Sequence, residues 1–303
     1  MDITEQVTYN TVQKLKKEKN AIVLAHNYQI LPVQHLADFI GDSLQLAQEA
    51  AKAKAEIIVF CGVRFMAETA KLLNPEARIL LPVMEAGCPM ADMLTAEQLI
   101  DFKEKHPGAT VMCYVNSSVE VKAVSDICCT SSNAVKIIES LPPDEKILFV
   151  PDQNLGQYAA MKTGRNIIVW DGYCMVHHHK ITLKDVDGMR MEHPDYTLMV
   201  HPECPPAIFN RADKVGSTKQ MADFVRDNDK VVLGTEVGLI DQLSEMYPEK
   251  NIFPLSIRAT CLNMKKTSPR DVLLSLIEEK HEIVIDPKIA DAALKSVQRM
   301  LEY

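Results

Sequence analysis

Short apolar runs recur along this chain, each ending in a polar cluster, and between them lie stretches whose apolar positions fall three and four apart. The first pattern predicts buried parallel strands and the second amphipathic helices. A helix over Thr4–Lys19 leads into a strand at Ala21–Ala25 that stops at His26-Asn27-Tyr28-Gln29. Pro32 then opens a helix carrying Val33, Leu36, Ala37 and Ile40, and Gly41-Asp42-Ser43 restarts it with Leu44, Ala47 and Ala51 on one face. A strand (Glu56–Cys61), a helix (Arg64–Leu73), a strand (Arg78–Leu81) and a loop bearing Cys88 follow.

The same order returns twice. Thr110–Val115 is a strand reaching Asn116-Ser117, a second ends at Thr130-Ser131-Ser132-Asn133 before a helix to Leu141, and strand Lys146–Val150, helix Asp152–Lys162 and strand Asn166–Trp170 lead to Cys174. Thr197–Val200 ends at His201-Pro202-Glu203-Cys204, and Gly216-Ser217-Thr218 opens a helix to Arg226. Strand Lys230–Leu233, a helix over Leu239–Met246 and strand Asn251–Leu255 lead to Cys261.

Spacing supports triplication. From first-strand loop to helix-opening serine the separations are 17 (26 to 43), 15 (116 to 131) and 16 (201 to 217), and successive loop cysteines lie 86 and 87 apart. Landmarks that repeat while the residues between them diverge are the mark of a repeated unit. Strand–helix alternation implies parallel βαβ units, with functional groups at the strands' C-terminal ends. The expected fold is α/β, three homologous αβα blocks (1–90, 91–178 and 179–265) around a pseudo-threefold axis, with 266–303 packing back on the outside. One large doubly wound sheet is the alternative.

Composition narrows the function. The chain has 303 residues, 47% apolar and 24% charged, and its formal net charge of −8 with no basic run argues against a nucleic-acid binder. No apolar stretch suits a membrane span and the N-terminal residues show no signal-peptide core, so a cytoplasmic protein is expected. Eight cysteines spread through such a chain point to metal or catalytic roles rather than disulfides. Cys61, Cys113 and Cys128 lie in apolar runs and read as small buried hydrophobes.

If the blocks converge, Cys88, Cys174 and Cys261 meet. Three thiolates suit a [4Fe–4S] cluster with one iron open, and zinc held by three Cys, with or without His177, competes with it. His177, three residues after Cys174, is the imidazole expected nearest the metal, with His178 and His179 solvated or farther out. Ser43, Ser131 and Ser217-Thr218 open helices; most such residues only cap their own helix, but three at equivalent places could hold a substrate with several anionic groups. His26, Tyr28, Tyr114, Asn116, His201 and Glu203 end the first-strand loops and read as a pocket lining, with the His, Tyr and Glu side chains available for proton transfer. A redox sensor or electron carrier would need few of them.

The motifs AHNYQ, GDS, GVRFMAETAK, MEAGCPMAD, CYVNSS, CTSSNA, PDQNLG, WDGYCMVHH, HPECP, GST and RATCLNMK, in order from Ala21 to Lys265, resemble the quinolinate synthase family. The resemblance implies condensation of iminoaspartate (iminosuccinate) with dihydroxyacetone phosphate to quinolinate, phosphate and water in NAD biosynthesis. It also implies one [4Fe–4S] cluster per chain on Cys88, Cys174 and Cys261, its open iron binding substrate. Substrate contacts would fall on His26, Ser43, Tyr114, Val115, Asn116, Ser131, His177, His201, Pro202, Glu203, Ser217 and Thr218, with Tyr28, His201 and Glu203 as the acid–base groups. An aspartate oxidase or dehydrogenase would supply iminoaspartate. The C-x-x-C tail of some relatives is absent after Cys261.

Overall fold

A computed structural model describes residues 3–303. Its first block runs α1 (Ile3–Glu18), β1 (Ala21–His26), α2 (Leu31–Gln34), β2 (Phe39–Gly41), α3 (Ser43–Lys52), β3 (Ile57–Cys61), α4 (Arg64–Leu73) and β4 (Arg78–Leu80). The second runs α5 (Ala96–Glu104), β5 (Thr110–Tyr114), α6 (Val119–Ala123), β6 (Ile127–Cys129), α7 (Ala134–Ser140), β7 (Ile147–Val150), α8 (Gln153–Thr163) and β8 (Ile167–Val169). After α9 (Met175–His179) comes the third: α10 (Leu183–Glu192), β9 (Thr197–Val200), α11 (Pro206–Phe209), β10 (Lys214–Val215), α12 (Thr218–Arg226), β11 (Lys230–Gly234), α13 (Val237–Met246) and β12 (Asn251–Pro254).

The sheets are β2-β1-β3-β4, β6-β5-β7-β8 and β10-β9-β11-β12, with every pairing parallel. One topology written three times is what the repeated landmarks predicted; the single large sheet is not what forms. The central strands are largely apolar, as strands covered on both faces must be: Ile57–Cys61 and Ile147–Val150 are apolar along their length and wholly buried. In each sheet the order reverses beside the first strand, which opens a crevice at the C-terminal edge.

Strand pairing fixes which residues are equivalent. Ala25 pairs with Ile40 and Cys61, Cys113 with Cys128 and Val150, and Val200 with Val215 and Gly234. His26, Tyr114 and His201 are therefore counterparts, as are Tyr28, Asn116 and Glu203. The residue matching Ser43 and Ser131 is Thr218, not Ser217, and the loop-to-helix interval becomes 17 in all three blocks (26 to 43, 114 to 131, 201 to 218).

The same alignment shows a clamp that the sequence reading passed over. Asp38 accepts the Val23 N–H, Asp126 that of Val111 and Asp213 that of Leu198, each at 2.8 Å. Each aspartate's own N–H returns to the same residue's carbonyl, at 2.8, 3.1 and 3.0 Å respectively. The loop entering the second strand is thus tied across to the first.

Three details differ from the periodicity. The helix after Pro32 stops at Gln34, and Ile40 lies in β2, because the apolar spacing of a short helix and a following strand overlap. Between the tail's two helices the apolar positions Ile283 and Ile285 suggest a strand, but Glu282 forms only an isolated antiparallel bridge to Leu80. The amphipathic stretches Ala96–Glu104 and Leu183–Glu192, not singled out by pattern, form α5 and α10, each opened by a threonine capping box. The tail forms α14 (Pro269–Glu278), packed on α1 and β3, and α15 (Pro287–Leu301), packed on α6 and β6.

The blocks are joined by polar contacts. The Ser132 hydroxyl lies 2.7 Å from Asp42 Oδ2 and 2.9 Å from Ser217 Oγ; with one proton, it donates to the first and accepts from the second. The fully buried Lys122 ammonium reaches from α6 to Thr69 Oγ1 at 3.0 Å and the Phe65 carbonyl at 3.2 Å on α4.

Asp126→Ala removes a charge-assisted hydrogen bond, and an expected loss of about 1.5–3 kcal/mol in unfolding free energy follows. Urea denaturation of the variant checks it.

Candidate functional site

The three crevices open into one cavity of about 420 Å³. It is lined by His26, Tyr28 and Ser43 from the first block, by Tyr114, Asn116 and Ser131 from the second, and by His201, Glu203 and Thr218 from the third. Cys88, Cys174, Cys261 and His177 line it too. Sixteen residues were singled out by sequence; Val115, Pro202 and Ser217 are the three that do not face the cavity. Val115 is packed in the core behind Tyr114, Pro202 is buried, and Ser217 caps α12 in a capping box with Gln220. In the first block the cap is Asp42, so Ser43 is the first helical residue and its hydroxyl is free of that duty.

At the centre is Glu203, 3% exposed. The Tyr114 hydroxyl donates to its Oε1 at 2.5 Å and His177 Nδ1 lies 2.7 Å from its Oε2. Burial works against its ionisation, but His177 and the Tyr114 hydrogen bond more than compensate, and the carboxyl is held well below the usual range. From His177 the contacts continue: Nε2 lies 3.0 Å from Thr235 Oγ1, which lies 2.7 Å from the Tyr28 hydroxyl. With His177 carrying its proton on Nδ1, the run Tyr28–Thr235–His177–Glu203–Tyr114 is one unbroken chain of donors and acceptors. Both tyrosines are pushed up, by burial first and the Glu203 charge second, so they stay protonated.

His26 and His201 are built alike. In each, Nδ1 accepts the N–H two residues on, from Tyr28 at 3.1 Å and from Glu203 at 3.3 Å, which leaves Nε2 to carry the ring proton. Burial brings His26 down to about 3, with Lys265 adding to the effect. Burial likewise brings His201 to about 3, the Glu203 charge opposing and His177 reinforcing. Both are neutral donors at ordinary pH. His201 Nε2 is 3.2 Å from Ser131 Oγ, and the two rings His177 and His201 stack at 4.6 Å.

The three loop cysteines line the same cavity, and Cys174 Sγ lies 3.3 Å from His177 Nδ1. Burial raises all three thiols, Cys88 to about 12, and the three lie near enough to one another for Cys88 and Cys261 each to raise Cys174 further. Backbone N–H groups of the turn after each cysteine oppose this: Ala91 and Met90 at Cys88, His177 at Cys174, Met264 and Asn263 at Cys261. Three half-buried thiols from three loops, each met by amides that favour the thiolate, fit a thiolate-ligated iron–sulfur cluster. Asn116 Oδ1 is buried without a hydrogen-bond partner, an orphan that a bound group would satisfy. Cys174, His177 and Glu203 also hold their ligand atoms within 4.8 Å of one another, so a single metal ion could sit there.

The remaining cysteines, Cys61, Cys113, Cys128, Cys129 and Cys204, are buried away from the cavity, as expected for the three in apolar runs. His178 pairs with Asn154 at 2.9 Å and stacks on Tyr173, outside the lining. Missed by sequence were Thr235, Lys180 and Lys266. Lys180 Nζ donates to the Thr260 carbonyl at 2.7 Å, and Lys266 Nζ to that of Glu85 at 2.6 Å, closing the third block's loop over the first. Among the described residues no helix is long and apolar enough to cross a membrane.

The family model described as quinolinate synthetase A protein matches residues 10–302. The quinolinate synthase of Alkaliphilus metalliredigens is 49% identical over 96% of this chain and 96% of its own length. That of Dehalococcoides mccartyi is 48% identical and that of Methanoregula boonei 47%, each covering 96% of both chains. With a match of this extent laid over three parallel sheets and one shared cavity, the chain belongs to the quinolinate synthase family.

Proposed function

We propose that the cavity condenses iminoaspartate with dihydroxyacetone phosphate, yielding quinolinate, phosphate and water. The observation that carries this reading is the convergence of three equivalent loop cysteines on a cavity that also holds three equivalent hydroxyls and the hydrogen-bonded chain from Tyr28 to Tyr114. Cys88, Cys174 and Cys261 would hold one [4Fe–4S] cluster per chain. Its open iron supplies Lewis acidity toward a substrate oxygen or nitrogen when bound.

The chain's own residues do the rest. Ser43, Ser131 and Thr218 bind phosphate and carboxylate oxygens from three directions, aided by the Nε2–H of His26 and His201. Asn116 Oδ1 accepts a substrate N–H or O–H. Glu203, ionised and fixed by two hydrogen bonds, takes a proton from the triose carbon or the imine side; Tyr28 gives or takes one at the other end of the chain through Thr235 and His177. Lys180 and Lys266 close the mouth and keep water from competing with the dehydrations. Iminoaspartate would come from an aspartate oxidase or dehydrogenase in the same cytoplasm.

The grouping of Cys174, His177 and Glu203 favours one rival, a mononuclear zinc site. Elemental analysis separates them: about four iron and four sulfide per chain for the cluster, against about one zinc. Anaerobic incubation of the cluster-bearing chain with enzymatically generated iminoaspartate and dihydroxyacetone phosphate is expected to give quinolinate; no product overturns the proposal. Tyr28→Phe, which keeps the ring but breaks the chain at its end, should lower kcat by about 10²–10⁴ with iron content unchanged.

The neutral histidines also set a pH dependence. The folded value of His26, about 3, lies below its ordinary 6.5, so the unfolded chain binds more protons between those values. The contribution is complete above about pH 6.5 and is lost as pH falls toward about 3. Melting temperature should therefore drop on acidification from about pH 7 to about pH 5, and drop less in His26→Gln; equal slopes in the two proteins would contradict the assignment.

A further inference from the structure

The turn before each loop cysteine is tied to its own block in the same way. Arg64 N–H donates to the Ala86 carbonyl at 2.8 Å, Gln153 N–H to that of Gly172 at 2.8 Å and Val237 N–H to that of Ala259 at 2.9 Å. Each acceptor lies two residues before its cysteine, and each donor is the first residue of the helix following the third strand of its sheet. This main-chain tie has full threefold equivalence. It is close-fitting in the second block, where a Cβ at Gly172 would stand 2.4 Å from the Pro151 carbonyl oxygen.

What caps those helices is not equivalent. The capping positions are Val63, Asp152 and Glu236. Asp152 is fully buried, and its two oxygens have separate duties: Oδ1 accepts the Leu155 N–H of α8 at 2.7 Å, and Oδ2 accepts the Cys174 N–H at 3.2 Å. Glu236, also fully buried, repeats the arrangement with a longer side chain. Its Oε2 accepts the Gly238 N–H of α13 at 2.7 Å and its Oε1 accepts the Cys261 N–H at 2.9 Å, with the Lys265 ammonium 3.0 Å from Oε1. Val63 can do neither, and α4 begins without a side-chain cap.

A cap alone would explain one oxygen of each acid, since any Ser or Asn could serve the helix. The second oxygen, in both cases, is spent on the amide of the very residue whose thiol faces the cavity. One acid caps its helix at the third amide and the longer one at the second, yet both reach the cysteine amide, which is hard to reconcile with helix capping as their only role.

We infer that Asp152 and Glu236 are positioning residues that pin Cys174 and Cys261 to the scaffold as pre-set ligands, leaving Cys88 as the one compliant ligand. This rests on the proposal that these three cysteines hold the cluster. Groups that orient a ligand from behind it are worth about 10–100-fold in metal retention. A rigid pair with one adjustable arm lets a bulky cluster enter from one side and be closed upon by the third loop.

Two measurements test it. In the metal-free full-length chain, residue-resolved hydrogen exchange should show the Cys174 and Cys261 amides protected and the Cys88 amide exchanging faster; equal exchange at all three overturns the inference. In the cluster-bearing chain under anaerobic conditions, Asp152→Asn and Glu236→Gln each leave one acceptor oxygen for two amides. Each should lose iron to a chelator at least about tenfold faster than the parent. In the metal-free forms, the first should deprotect Cys174 alone and the second Cys261 alone. Asp126→Asn, which weakens the second block's scaffold without touching a ligand loop, is the control: if the two variants release iron no faster than this one, their role is only structural and the inference fails. Should a variant not fold, the exchange pattern of the parent still decides. Should the parent itself bind no iron, the cluster proposal fails, while the exchange pattern judges the clamp separately.

Discussion

A carboxylate cannot be taken out of water without partners, and that constraint on Glu203 reaches through the whole molecule. Its partners are drawn from other parts of the chain: Tyr114 from the end of β5 and His177 from α9. Its backbone carbonyl is held in addition by Asn154 of α8 at 2.9 Å. Leaving a buried hydrogen-bonding group without its partner typically costs about 1–3 kcal/mol, and more when the group is charged, so separating the second and third blocks is opposed while Glu203 remains ionised. Thr235 then carries the same network to Tyr28 and the first block. The site is therefore also the joint, and the hydrogen bonds that would move protons are the ones that hold the three sheets at one centre.

The fold was legible to the extent that its landmarks were rare residue types. Cysteine spacing of 86 and 87 stood out because few cysteines compete for the pattern. Serine is common, and so Ser217 was paired with Ser43 and Ser131 when the true counterpart is Thr218, one residue on. Only strand register, Val200 beside Val215 against Ala25 beside Ile40, settles that offset. The aspartates Asp38, Asp126 and Asp213 lie 88 and 87 apart, a signal as regular as the cysteines, hidden among the chain's 41 acidic residues. Short elements were the weakest part: a four-residue helix such as Leu31–Gln34 and a three-residue strand such as Phe39–Gly41 have too few positions to display a period.

Within the site, residues on the first-strand loops were legible because titratable types clustered there. Those contributed by the third strands were not. Thr235, Asp152 and Glu236 each follow an unbroken apolar run and look like ordinary strand-to-helix punctuation. Their importance comes from what folds over them, the Cys174 and Cys261 turns and the Tyr28 hydroxyl, and contacts that close only in the fold leave no local trace. The pairing of Asp152 with Cys174 spans 22 residues, and that of Tyr28 with Thr235 spans 207.

Triplication also explains why the centre can be asymmetric without a new fold. At the place occupied by Tyr28, Asn116 and Glu203 the three blocks present a phenol, an amide and a carboxylate, while at Ser43, Ser131 and Thr218 all three keep a hydroxyl. The hydroxyls are where the backbone turns into a helix and where a small polar residue suits every copy. The other position projects into the shared cavity, where three identical groups would have been unfavourable: three carboxylates would repel in a space of about 420 Å³, and three tyrosines would fill it. One ionised group, satisfied by neutral donors from its neighbours, is the arrangement that burial permits. A ring of like anchors around one unlike reactive set is also what two different small anionic substrates require, because anchoring can be repeated but a proton donor and a proton acceptor cannot be the same group at the same time. The three sheets thus supply equivalent positions, and under the proposed function the chemistry would reside in the places where their side chains stopped being equivalent.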